Sequence, residues 1–273
     1  MIRHLWLLAA ATAAAMAVAS CSGRGDTADN SMTFTTRSGS GTFTLKGTAR
    51  IFGQDSDIVY SDSVSLLIPQ SLRGDVSSEL LDSITSIALG ETGLPIGQAI
   101  ERWIETSAKA TGYTPVADDN ARAADIAQGF DYVFGTVCNL TPDLLVYRIR
   151  IESYEAGAAH GMTATRYLNY SIDKGELLTL RRLFTKEGIS KLPARIAEQA
   201  KATEDVLGPT DITALPANDN FYISSADEII FAYQPYEVAS FAQGQINVSF
   251  YPYELIDYLT PEAIAMFGLE DIE

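Results

Sequence analysis

A thiol beside an imidazole can make a nucleophile and its base, and Cys138 with His160 are the residues from which this chain could build that pair. A reactive thiol must be exposed and acidified. Cys138 sits instead in a strand-like run, Tyr132-Val-Phe-Gly-Thr-Val-Cys-Asn-Leu140, whose apolar pattern predicts burial and an inert side chain. The chain holds two histidines, and His4 falls in a leader that the mature protein would lose. A zinc site built on two or three imidazoles is then out of reach of one chain. Carboxylate pairs are the remaining enzymatic option: Asp118-Asp119, Asp227-Glu228 and Glu270-Asp271 stand in turns or at the terminus. With 35 acids, such pairs arise by chance. A glycan hydrolase would need two carboxylates facing a bond across a cleft. No phosphate loop, nucleophile elbow or dinucleotide fingerprint is present. The reading is no catalytic set, no metal and no cofactor.

Cys21 carries a different chemistry. Before it run Met-Ile-Arg-His, an apolar stretch from Leu5 to Ala17, and Val18-Ala19-Ser20. That is a basic start, a short apolar region and small residues at a cleavage point, so residues 1–20 read as a secretory signal. The apolar stretch is shorter than the roughly 20 residues of a membrane span. A cysteine just after Val-Ala-Ser resembles the lipobox of bacterial lipoproteins, which implies lipidation of Cys21 and membrane attachment through that N-terminal lipid. The alternative is an ordinary secreted protein with a Cys21–Cys138 disulfide. The expected location is the bacterial envelope, outside the cytoplasm. Lys and Arg total 19 against 35 acids, and loss of Arg3 with the leader takes the net charge from −16 to −17. Such a field repels nucleic acid, which excludes that partner class, and would speed encounter with a cationic protein.

Behind the leader, small polar residues make 21–33 a flexible tether. Alternation of Phe43, Leu45, Ala49 and Ile51, then of Ile58, Tyr60, Val64, Leu66 and Ile68, predicts two half-buried strands with a turn at Gly53–Asp57. The period then changes. Leu80, Leu81, Ile84, Ile87 and Ala88 predict a helix capped by Asp75 or Ser77, and Ile96 to Ala108 a second one opened by Pro95. Strands are predicted at 130–140, 144–154 and 162–172. Helices follow at 180–184 and 185–203, strands at 221–224, 228–233 and 245–251, and helices from Pro252 and Pro261. The expected class is α+β: antiparallel sheets with helices packed on one face, in two subdomains. These are residues 34–115 and 129–262, joined by a linker with a short helix at 116–128 and followed by a tail at 263–273.

Two stretches stand out: Tyr154-Glu-Ala-Gly-Ala-Ala-His-Gly-Met162 with the Asn169-Tyr170 strand that follows, and Phe231-Ala-Tyr-Gln-Pro-Tyr-Glu-Val-Ala-Ser-Phe-Ala-Gln-Gly244. Together they resemble the bacterial domain of unknown function found in the RsiV anti-sigma factor and beside the PdaC peptidoglycan deacetylase. The family shows adjacent glycines before Ala-His, where this chain has Gly157-Ala158-Ala159-His160. The resemblance implies a recognition module, with a basic lysozyme-like protein or a peptidoglycan glycan as partner. The alternative is a carboxylate-dependent glycan hydrolase or an accessory domain to one. The motif residues Gly157, His160, Gly161, Tyr233, Gln234, Pro235, Tyr236, Glu237 and Phe241 are the candidate site. Gly157 and Gly161 would permit a sharp reversal around His160, whose imidazole could bond backbone across the turn. Tyr233, Tyr236, Phe241, Tyr251 and Tyr253 would gather around the proline-broken strand.

Overall fold

The computed structural model describes the backbone of residues 15–17, 31–51, 54–110, 114–115, 127–156 and 158–271, and the side chains of 31–44, 57–107, 128–156 and 158–271. Its main body is one sheet with strand order β1 (Met32–Ile51), β2 (Gln54–Leu72), β3 (Ala127–Leu140), β4 (Leu144–Tyr154), β5 (Met162–Ser171) and β6 (Glu176–Leu178). Two short segments, Ala15–Ala17 and Thr114–Pro115, pair with the outer edge of β1. β1 and β2 stay paired as far as Ile51 opposite Gln54, so residues 54–57, expected in the turn, belong to β2.

One pairing departs from the antiparallel expectation. β2 and β3 run parallel, from Ile58 beside Ala127 to Leu66 beside Gly135. Between them lie α1 (Ser78–Leu89) and α2 (Ile96–Ala110), and a helical crossover is what a parallel pair requires. The alternation in β2 and β3 survives because α1 and α2 both pack on one face of that pair. Ser77 caps α1, its Oγ accepting from the Leu80 N–H at 3.3 Å.

The first core lies between those helices and the sheet. Leu80, Ile84, Ala88, Ala99 and Ile100 meet Val64, Leu66, Val133, Leu145, Tyr147 and Ile149. Strands from both sides of the 116–128 linker therefore share it. The helix expected in that linker lies outside the described residues. Gly135 admits the Tyr147 ring, since a Cβ there would collide with the Tyr147 hydroxyl.

A second core forms with a small sheet, ordered β7 (Phe221–Ile223), β8 (Ile229–Tyr233) and β9 (Ile246–Phe250). Its Phe221, Phe231, Val248 and Phe250 pack with Leu192, Ile196 and Ala200 of α3 (Lys186–Ala202) and with Val146 of β4. The helices thus fall in two layers rather than one. Val146 alternates with Leu145 and Tyr147, so β4 feeds both cores from opposite faces.

Three buried asparagines join the two sheets. Asn139 Nδ2 donates to the Ile223 and Ser224 carbonyls at 3.3 and 3.0 Å. Asn169 donates to the Phe221 carbonyl (3.0 Å) and accepts from the Ile223 N–H (2.9 Å). Asn220 accepts from the Tyr167 N–H (3.1 Å) and donates to the Thr165 and Ala232 carbonyls (both 2.9 Å). Among the described residues, no helix is long and apolar enough to cross a membrane.

Candidate functional site

The Gln234–Glu237 segment leaves β8 and turns back on itself, with the Glu237 N–H donating to the Gln234 carbonyl at 3.0 Å. Gln234 faces the edge of β5 and completes it as a strand would. Its Oε1 accepts from the Thr165 N–H (2.8 Å) and its Nε2 donates to the Thr165 carbonyl (2.7 Å). An uncovered edge is a template for unwanted pairing. Here side-chain amides from Gln234 and Asn220 occupy it. Glu237 holds the turn from inside, accepting from the Gln234 N–H at 2.7 Å and the Ala217 N–H at 2.5 Å.

That bracing has one strained product. Tyr236 has φ +71° and is 57 % exposed. Proline at the second position and a positive φ at the third are the pattern of a type II turn, where glycine is the usual third residue. A bulky side chain held there costs on the order of 1–3 kcal/mol. The strain lifts the Tyr236 ring clear of the core and toward the 154–162 turn. There its hydroxyl meets His160 Nε2 at 3.0 Å, while His160 Nδ1 lies 3.0 Å from the Gly161 carbonyl. The network assigns the tautomer: Nδ1–H donates to Gly161, and Nε2 accepts from the tyrosine. Phe241 stacks on the imidazole with centroids 3.8 Å apart and lies 5.3 Å from the Tyr236 ring. Met162, also exposed, follows at the start of β5. Beside Phe241 lies a shallow hollow of about 250 Å³, lined by Thr163, Thr165, Pro235, Phe241, Gly244 and Gln245.

The structure thus brings together His160, Gln234, Pro235, Tyr236, Glu237 and Phe241. Gly161 does not use a positive φ; its lack of a side chain matters because a Cβ would lie 2.9 Å from the Ser153 carbonyl. Tyr233 is a correction. It is buried, its hydroxyl donates to the Ala214 carbonyl at 2.9 Å, and burial pushes its pKa up. Tyr251 and Tyr253 form an exposed stacked pair of their own, 5.6 Å apart. Gly157 and Cys21 lie outside the described residues.

Cys138 is a second correction, because its side chain is exposed. The β3–β4 register slips between Val137 and Asn139, leaving Cys138 as the extra residue of a β-bulge. Simple alternation could not foresee that slip. Desolvation by the surrounding strands nevertheless pushes its thiol pKa up, with nearby Arg148 opposing. Cys138 stands level with Val146 on β4, whereas His160 lies past Tyr154. That is eight strand residues, or about 26 Å, so the two form no dyad. The native thiol is expected to react with iodoacetamide, but slowly. A pKa above the ordinary 9.0 leaves under about 1 % thiolate at pH 7, and the rate should rise about tenfold per pH unit to beyond pH 9. Rapid labelling at pH 7 would contradict this.

The carboxylates do not converge on a cleft among the described residues. Asp227 has φ +60° in a turn, Glu228 accepts from the Ser224 hydroxyl, and Glu270-Asp271 stand at the end of the described residues. Asp118-Asp119 lie outside the described residues. An open depression along α2 includes Glu101 and Glu105, one turn apart on a single helix and so unable to face a bond from opposite sides. Among the described residues, no group of three or more His, Cys, Asp or Glu could hold a metal. What the arrangement can do is present an aromatic patch rigidly.

Residues 181–253 match the family model of a protein of unknown function, DUF3298. The matched segment holds Asn220, the Gln234–Glu237 turn and Phe241, while their partners His160 and Thr165 lie before it. A crystal structure of a DUF3298 family member from Bacteroides fragilis NCTC 9343 shares the fold. Its TM-score is 0.55 at 19 % identity, covering 86 % of this chain and 98 % of that one. A second, from Pseudomonas aeruginosa PAO1, gives a TM-score of 0.49 at 14 % identity over 84 % of this chain and 96 % of that one. No curated protein matches.

Proposed function

We propose that this protein is a lipid-anchored recognition module of the bacterial envelope, attached through Cys21, that binds rather than catalyses. Its contact centre is the His160–Tyr236–Phe241 patch, and its partner is a basic wall-degrading enzyme of the lysozyme kind. The observation that carries this reading is Tyr236. A tyrosine kept at a strained φ of +71° and held out to solvent is difficult to explain by packing. Exposed tyrosine with neighbouring phenylalanine and methionine is the composition of an interface centre. The net charge of −16 supports a cationic partner, and the resemblance to a lysozyme-sensing domain points the same way.

A peptidoglycan glycan is the second reading, and the hollow beside Phe241 favours it. None of its six lining residues is charged, and threonine hydroxyls, a carboxamide and an aromatic ring suit sugar chemistry. A pull-down with the detergent-solubilised chain tests both. Capture of a basic muramidase supports the first reading, capture of muropeptides alone supports the second, and failure of both removes the recognition role.

A further inference from the structure

Asp62 lies on β2 in the register that points under α2, between Tyr60 and the buried Val64. It is 2 % exposed, and neither carboxylate oxygen has a hydrogen-bond partner. Parallel pairing of β2 with β3 sets Asp131 directly beside it. Glu155, just past β4, adds a third acid near Asp131. The Ser107 hydroxyl from α2 and the Asp131 backbone N–H from β3 lie close enough to ease a charge on Asp62, though neither completes a hydrogen bond to it, and Gly41 of β1 pairs with Asp62. Among the described residues, these elements bring no cation to either aspartate. α2 seats closely at this point: a Cβ on Gly39 or Gly41 would run into Ile100 or Ile104.

A buried charge eased only by those two dipoles is unfavourable, because burial outweighs them, so Asp62 either holds a proton or disturbs what covers it. Burial pushes both carboxyls up, and for Asp131 the neighbouring Asp62 and Glu155 push the same way. We propose that Asp62 and Asp131 form a protonation-dependent latch beneath α2, in which a proton held on Asp62 lets the helix seat on the sheet and its loss loosens that seat.

The sign follows from linkage. The folded chain holds a proton that the unfolded chain releases. The contribution is therefore complete below the ordinary aspartate value of about 3.9 and is lost as pH rises from there through the raised folded value. Asp62→Asn keeps the shape and stays neutral. Its melting temperature should match the wild type near pH 4 and exceed it by about 3 °C or more at pH 8. Asp131→Asn should shift the same way by less, being only half-buried. Amide exchange at 96–107, corrected for the intrinsic pH effect, should be slower in Asp62→Asn than in wild type at pH 8. A less stable Asp62→Asn at pH 8 would mean that Asp62 is ionised and paired, and a pH-independent difference would mean packing alone; either overturns the latch. If Asp62→Asn fails to fold, the carboxyl carbon shifts of the wild type decide. Titration of Asp62 at or below the ordinary value would likewise overturn it.

Discussion

Asn220→Ala is expected to cost roughly 2–6 kcal/mol, a large share of the 5–15 kcal/mol that holds a typical domain folded. Asn220 is 1 % exposed, and its carboxamide serves three backbone groups from two sheets. Truncation leaves the Tyr167 N–H and the Ala232 carbonyl without that partner in a place water does not reach, at about 1–3 kcal/mol each. The Thr165 carbonyl keeps Gln234 Nε2, so Gln234 should partly compensate. Gln234→Ala, at the half-buried end of the same edge, should cost less, about 1–3 kcal/mol. The two share Thr165, so the double variant should lose more than the sum of the singles. Urea denaturation of the four proteins measures all three quantities. An Asn220→Ala variant within 1 kcal/mol of wild type would show that the Asn220 carboxamide is not needed to join the sheets.

Much of this was legible in the sequence, and the limits have physical causes. α1 and α3 are readable because their inward residues, Leu80, Ile84, Leu192 and Ile196, recur at helical spacing and are buried. Strand alternation located β4 and β5 but not their neighbours, since periodicity carries no pairing information. The parallel contact of β2 with β3 depends on where the helical crossover returns the chain. The apolar run from Tyr132 to Leu140 predicts a buried Cys138 by composition, but a bulge takes that residue out of the pairing and leaves it exposed. Asp62 is itself visible as a signal in the sequence. It interrupts an inward series of Ile58, Tyr60, Val64, Leu66 and Ile68 with an acid, and an acid in a core register needs an explanation. The Gln-Pro-Tyr-Glu segment could be singled out, but not its task. That Gln234 serves Thr165, 69 residues earlier, is fixed only by tertiary structure.

Tyr236→Gly is expected to separate stability from recognition. Glycine adopts φ +71° without strain, so the variant should be at least as stable as wild type, by up to about 1 kcal/mol. It also removes the ring that His160 and Phe241 position. If those rings form the desolvated centre of an interface, losing one should weaken binding by about 2 kcal/mol, or roughly 30-fold, mainly through faster dissociation. Phe241→Ala should act in the same direction. Charge acts on the other rate constant. Opposite fields raise association and are screened over about 10 Å at 0.1 M salt, so added salt should slow association of a basic muramidase and leave dissociation nearly unchanged. Surface plasmon resonance, with the chain displayed on a lipid surface, measures both rates. A Tyr236→Gly protein that binds as tightly as wild type would move the contact centre elsewhere. Absence of binding to any basic muramidase at low ionic strength would remove the protein partner and leave the glycan reading, to be tried at the hollow beside Phe241.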